Sequence, residues 1–313
     1  MNNPTLIDTD SGVDDALALI LALRSPELSV RAITTVAGNT TVGNCTRNVR
    51  RVLGLLNSAP DILVARGAAG PLKRRLVTAH EVHGDDGLGN VRMKITAAPT
   101  LSRGDAVNTI LQHCDRYARS LTIVALGPLT NIALALRKRP ASLRKAGRII
   151  SMGGAFRVPG NTGPVAEFNY YVDPEAAERV LTSGLPLFIV PLDLTEQVAL
   201  MRKELVYRAS RRPNDVSRFI LGVTRLYMKY HKHSEGFEGG FLHDPVAVGA
   251  AIDPGLFEWS RMDIRVETTG KWTRGMTVAD PRGKTPASRP APRVAFRMNK
   301  EAFLKLFHER LWA

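Results

Sequence analysis

The chain has 313 residues, 44% of them apolar, and carries a formal net charge of +14. That is ample for a buried core, and no run of roughly eighteen apolar residues is present to span a membrane. The basic residues are scattered, at Arg137-Lys138-Arg139, Arg144-Lys145, Arg202-Lys203 and Arg211-Arg212 among other places, without interleaved aromatics. They read as solvated faces, so no specific nucleic-acid partner is expected.

The first strand begins almost at the N-terminus, leaving no room for a signal peptide, so a cytoplasmic location is expected. Leu6 and Ile7 read as the end of a buried strand, and the apolar run from Asp14 to Leu23 as a helix too apolar to lie on the surface. Gly12 permits the tight turn between them. Ser29–Val36 is β-branched and predicts a second strand, followed by a helix over Gly43–Leu56 and a short strand at Ile62–Val64. The stretch Gly67–Arg92 reads as a long loop holding His80, His83, Asp85 and Asp86, a length that usually signals function.

Helices are predicted at Asp105–Tyr117 and Thr130–Arg139, and strands at Leu121–Leu126 and Arg148–Met152. A second long loop, Ala155–Tyr171, carries Asn161, Glu167 and Asn169. A helix at Pro174–Thr182 and a strand at Pro186–Leu192 follow it. Helices are expected at Glu204–Arg211 and Val216–Lys229, then a glycine-rich loop over His231–Leu242, and a helix from His243 through Ile252. Met262–Thr269, Met276–Ala279 and Val294–Met298 predict late strands, Pro281–Pro292 a surface loop, and Ala302–Leu311 a closing helix.

Strand–helix alternation of this kind predicts an α/β fold, a largely parallel open sheet with helices on both faces, with the late strands as an addition. No linker or repeat divides the chain, so residues 1–313 are read as one domain. Cys45 and Cys114 fall in helical stretches and read as small buried residues, with no disulfide or zinc pattern.

In such a sheet, ligands bind beyond the carboxyl ends of the strands. Four carboxylates, Asp8, Asp10, Asp14 and Asp15, fall within eight residues at the first of those ends. Capping a helix needs one such residue. The helix dipole favours each acid there by only about 0.3–1 kcal/mol, too little against their mutual repulsion where solvent is scarce. A bound hard cation resolves the conflict.

The run Asp8-Thr9-Asp10-Ser11-Gly12-Val13-Asp14-Asp15-Ala16 resembles the signature of the inosine-uridine preferring nucleoside hydrolases. Further blocks resemble the same family in the same order: Ala37-Gly38-Asn39, Val82-His83-Gly84, Asp86-Gly87-Leu88-Gly89, Leu126-Gly127-Pro128-Leu129-Thr130-Asn131, Met152-Gly153-Gly154, Gly160-Asn161, Ala166-Glu167-Phe168-Asn169, Asp173-Pro174-Glu175-Ala176 and His243-Asp244-Pro245. The resemblance runs over nearly the whole chain.

It implies a Rossmann-like nucleoside hydrolase fold and hydrolysis of the N-glycosidic bond of a ribonucleoside, in a homo-oligomer. It further implies a calcium ion held by Asp10, Asp15, Asp244 and the backbone carbonyl of Leu126. An all-oxygen shell suits calcium, whereas zinc would want Cys or His. Taken alone, Asp244 would be a helix cap before Pro245. By the same resemblance Asp14, Asn39, Asn161, Glu167 and Asn169 grip the ribose, groups able to hydrogen-bond a polyol. Asp10 is the implied base, His243 the implied acid for the departing nucleobase, and His83 a second group near it. Phe156, Phe168, Tyr230, Phe237 and Phe241 are aromatics available to stack on the base. His113, His231 and His308 read as structural or exposed.

Three features depart from the family pattern. Ser11 replaces a proline and is expected to loosen the turn. Glu196 follows Thr195 where the family often has His. The loop before His243 is rich in histidine and glycine, and base preference is expected to be decided there. Two rivals are a magnesium-dependent phosphoesterase built on Asp8-x-Asp10 and a non-catalytic nucleoside- or polyanion-binding protein. The first lacks a Lys or Arg within the motif blocks to neutralise a phosphoryl group. Retention of Asp10 and His243 together speaks against the second.

Overall fold

The computed structural model describes residues 3–57, 62–92, 104–280 and 290–313. Six strands build the centre of the sheet: β1 (Asn3–Thr9), β2 (Leu28–Thr35), β3 (Leu63–Arg66), β4 (Thr122–Ala125), β5 (Arg148–Met152) and β6 (Leu187–Val190). The later strands are β7 (Ala199–Met201), β8 (Gly239–Phe241), β9 (Phe257–Arg261), β10 (Ile264–Val266), β11 (Thr277–Ala279) and β12 (Arg293–Met298). The main sheet has the order β3-β2-β1-β4-β5-β6-β12-β9, parallel throughout except for β9, which runs antiparallel to β12 at the edge. The expected α/β fold with a largely parallel sheet is present.

Alternation along each strand fills both faces. Ile7, Val124 and Ile150 point into one hydrophobic core, while Leu6, Ile123 and Ile149 point into the other. The helix Val13–Leu23 is buried from Val13 to Ala22 and packs against the helix His243–Ile252, itself buried from Asp244 onward. A helix apolar on all sides belongs inside a core, and each of Leu17, Leu19, Ile20 and Leu21 contributes about 1.5–3 kcal/mol by burial. These two helices carry Asp14, Asp15 and Asp244 at their first turns, so core packing fixes where the acids meet.

The late part of the chain differs from the sequence prediction in several places. Phe257–Arg261 is a strand absent from the sequence prediction, although Phe257-Glu258-Trp259-Ser260 alternates apolar and polar residues as a half-exposed edge strand does. The strand predicted at Met262–Thr269 shortens to β10, which pairs with β11 in a separate ribbon. The helix predicted to end at Lys229 continues as Asp215–Ser234, so His231 and His233 are helical and the glycine-rich loop is shorter, closing with β8 paired to β7. Helical turns His80–His83 and Phe168–Val172 interrupt the two long loops. Most of the predicted surface loop Pro281–Pro292 lies outside the described residues.

Candidate active site

β1 sits between β2 and β4, so the crevice where the chain order reverses opens at its carboxyl end. Asp10 follows β1, Asn39 follows β2, Leu126 follows β4, Gly153 follows β5, and Thr195 and Glu196 follow β6. A cavity of about 310 Å³ lies over these ends. Its lining includes Asp14, Asn39, His83, Leu126, Asn161, Glu167, Phe168, Asn169, His243 and Asp244, and it runs past Asp14 and Asp244. Asp10 and Asp15 are fully buried beside them.

The carboxylates are held by donors from the turn around Gly12. Asp15 accepts from Thr9 Oγ1 at 2.5 Å, from the Gly12 amide at 2.7 Å and from Asn39 Nδ2 at 3.1 Å. Asp10 Oδ2 accepts from the Asn39 amide at 2.7 Å, while Asp10 Oδ1 is buried with no hydrogen-bond partner among the described residues. Gly38 and Gly127 flank this carboxylate so closely that a Cβ on either would come within 2.1 Å and 2.8 Å of its oxygens. Gly12 is equally constrained, since a Cβ would meet Asn39 Nδ2 and His83 Nδ1 at 2.7 Å. Ser11 has a φ of 29°, a left-handed value that a proline ring does not reach. The expectation of a merely loosened turn is therefore corrected: this turn has a backbone that the family's proline would not fit.

Asp14, Asp15 and Asp244 offer oxygens all within 4.8 Å of one another. Burial and then the neighbouring Asp15 charge push Asp14 up to about 8. Burial, together with the charges of Asp14, Asp15 and Asp10, raises Asp244 well above the carboxylate range. Asp10 is raised by burial and by Asp15. Asp8 is apart from this group: it accepts from Thr34 Oγ1 and Asn131 Nδ2 at 2.6 and 2.8 Å and braces the strand ends.

Glu167 caps the helical turn Phe168–Val172, accepting from the Asn169, Tyr170 and Gly154 amides at 2.7, 3.1 and 3.1 Å. Burial outweighs these three donors and lifts it to about 7. Asn169 Nδ2 donates to the Leu126 carbonyl at 2.9 Å, which fixes both on the cavity floor. Asn161 Oδ1 accepts from the Phe168 amide at 2.9 Å.

The two site histidines are neutral rings, pushed down to about 3 by burial and then by neighbouring histidines. His83 Nδ1 accepts from the Val13 amide at 3.1 Å, and since that amide can only donate, the ring proton is on Nε2. His243 Nδ1 lies 2.8 Å from Thr195 Oγ1.

The helix Asp215–Ser234, expected only as far as Lys229, contributes Tyr230, an expected stacking residue, and also Tyr227 and His231, which were not expected in the site, with Glu235 at its end. Tyr227 stacks on His83 with centroids 5.7 Å apart. Its hydroxyl donates to the Phe241 carbonyl at 2.9 Å. His231, read as structural, lines the cavity. A helical spacing of four between Tyr227 and His231 was the available signal, hidden by placing His231 in a loop. Of the aromatics considered for stacking, Phe168, Tyr230 and Phe241 line the cavity, whereas Phe156 packs on Phe296 and Phe237 sits behind Phe241. His113 and His308 bond to Thr109 and Glu204, away from the site.

A carboxylate-floored, strand-end cavity walled by aromatics is the site of an enzyme acting on a small molecule with both polar and aromatic parts. The family description "Inosine-uridine preferring nucleoside hydrolase" matches residues 5–305. The pyrimidine-specific ribonucleoside hydrolase RihA of Klebsiella pneumoniae is 42% identical over 310 residues, covering 98% of each chain. A plant nucleoside hydrolase superposes with a TM-score of 0.93 at 35% identity over 100% of both chains. The purine-preferring ribonucleoside hydrolase of Gardnerella vaginalis does so at 0.92 and 31% over 98% of both. The chain belongs to the inosine-uridine preferring nucleoside hydrolase family and is an N-glycosyl hydrolase. Among the described residues no helix is long and apolar enough to cross a membrane.

Proposed function

We propose that this enzyme hydrolyses the N-glycosidic bond of ribonucleosides to free base and ribose with a calcium ion held by Asp10, Asp15, Asp244 and the Leu126 carbonyl. The observation that carries the reading is the buried acid cluster. Asp14, Asp15 and Asp244 oxygens converge within 4.8 Å, and Asp10 Oδ1 is buried without a partner. Carboxylates so placed without a cation are driven toward protonation. The donors are all hard oxygens, which fits calcium and does not fit zinc. When bound, the ion supplies a chelating centre for vicinal hydroxyls and acidifies water.

The rest follows from the chain's own groups. Asp14, Asn39, Asn161, Glu167 and Asn169 orient the ribose from the cavity floor and rim. As the water oxygen bonds to C1′, Asp10 receives its proton and the C1′–N bond breaks through an oxocarbenium-like state. The electron pair leaves with the base. His243 acts as the acid in its doubly protonated form, taken up from solvent: it gives one ring proton to the base nitrogen and returns to the neutral ring, held by the 2.8 Å contact of Nδ1 with Thr195 Oγ1. His83, neutral and anchored by the Val13 amide, borders the same space. Phe168, Tyr230 and Phe241 flank the base and exclude water.

No Lys or Arg is among the described residues that line the cavity, which weighs against phosphoryl transfer. The pyrimidine-specific relatives support pyrimidine ribonucleosides as substrates. Incubation with uridine, cytidine, inosine and adenosine, with calcium and after chelation, tests the reading. Free base and ribose are expected only with calcium. Full activity after thorough chelation would remove the metal assignment.

A further inference from the structure

The cavity has two ends of different chemistry. Asp14, Asn39, Asn169 and Asp244 offer one end to hydroxyl groups. At the other, Thr195 bonds His243 at 2.8 Å, Phe241 packs on His243 with centroids 5.6 Å apart, and His231 packs on Phe241 at 5.3 Å. Glu196 follows Thr195 directly. Glu235 lies one turn beyond His231, its amide bonded to the His231 carbonyl at 2.8 Å. Both carboxylates line the cavity, Glu196 half-buried and Glu235 exposed at the mouth.

Glu196 is close enough to Glu235 and Asp193 to feel their charges, and no hydrogen-bond donor among the described residues satisfies it. An ionised carboxylate only accepts hydrogen bonds. A half-buried acceptor beside a second acceptor, with no Lys or Arg lining the cavity, lacks an N–H donor. Nucleobases differ in whether they bring one at the exocyclic position, uracil and hypoxanthine keeping theirs on the adjacent ring nitrogen. Cytosine and adenine carry an exocyclic amino group where uracil and hypoxanthine carry an oxo oxygen, and Glu is a natural acceptor for such an amino group. An oxo oxygen in the same place faces two acceptors and gains nothing.

We propose that Glu196, backed by Glu235, is a specificity-determining residue that selects nucleosides whose base presents an amino group over their oxo counterparts. Cytidine is preferred over uridine, and adenosine over inosine if purines are accepted. This rests on the ribonucleoside hydrolase reading above.

Protonation adds a signature. Burial, then the charges of Glu235 and Asp193, push Glu196 up to about 7, and His231 and His243 line the same wall. Below that value the carboxyl carries a proton and can donate to an oxo oxygen. Above it the group only accepts. The preference for the amino base therefore strengthens as pH rises.

The test is kcat/KM for cytidine and uridine with the full-length enzyme in calcium, at about pH 6 and about pH 8, on either side of the Glu196 transition. Wild type, Glu196→Gln and Glu235→Gln are compared. A ratio within one variant is insensitive to the fraction of enzyme folded. Wild type should favour cytidine by about tenfold at the higher pH, the size of one good base-edge contact, and by less at the lower. Glu196→Gln, whose amide both donates and accepts, should lose most of that ratio and its pH dependence. Glu235→Gln should shift it less and in the same direction. If Glu196→Gln does not fold, the wild-type pH dependence and Glu235→Gln decide. A wild-type ratio at or below one at the higher pH, or ratios unchanged in both variants, overturns the assignment of Glu196 while leaving the hydrolase reading intact. No release of base from any nucleoside overturns that reading itself.

Discussion

Asn39 is tied twice to the acid cluster: its amide donates to Asp10 Oδ2 at 2.7 Å and its side chain to Asp15 Oδ2 at 3.1 Å. It orients two carboxylates from two elements at once. Asn39→Ala keeps the backbone bond to Asp10 and loses the side-chain bond to Asp15, so it should weaken calcium binding and kcat/KM together, each by about tenfold, the lower end of what losing a group that orients a metal ligand costs. Calorimetric calcium titration beside kinetics checks this. Unchanged calcium affinity with impaired turnover would restrict Asn39 to the ribose.

The turn at Ser11 gives a prediction that runs against the family signature. Ser11→Pro restores the usual residue yet asks for a φ the turn does not have, and removes the amide that donates to Thr9 Oγ1 at 3.0 Å. It should cost about 3 kcal/mol of stability. Ser11→Gly should be close to neutral, since glycine adopts positive φ freely and the Ser11 hydroxyl is buried without a partner. Denaturant unfolding of the two variants measures the difference. A Ser11→Pro variant as stable as wild type would mean the turn readily adopts the family geometry.

His243 and Asp10 serve opposite ends of the reaction and should separate by leaving group. His243→Ala should lose about 10²–10⁴-fold with uridine or cytidine, the range for general acid catalysis. With p-nitrophenyl riboside, whose leaving group departs without a proton, it should lose little. Asp10→Ala should lose heavily with both and still fold. Equal losses for His243→Ala on the two substrates would make His243 a binding group.

Much of this was legible in the chain because the first strand and helix are unambiguous. Leu6-Ile7 before four acids, and an apolar run after them, leave little but a strand, a tight turn and a buried helix. The same clarity put Asn39, Leu126 and His243 at strand ends and a helix start. What escaped depends on contacts distant in sequence. Glycines at 236, 239 and 240 made the stretch after Lys229 look like a loop, whereas core packing of Tyr227 and Met228 carries the helix on to Ser234. Phe257–Arg261 alternates apolar and polar residues over only four positions, too short a run to stand out until its pairing with β12 is seen. Glu167 looked like a ribose ligand, and only the folded backbone reveals that it also caps a helical turn. The positive φ of Ser11 has no signature in a residue that normally avoids it.

The most direct test is the sugar product from cytidine or uridine in phosphate-free buffer containing calcium. A hydrolase transfers the ribosyl group to water, so free ribose and free base should appear in equal amounts, and added phosphate should not change the product. Appearance of ribose 1-phosphate, with no turnover unless phosphate is supplied, would contradict the account.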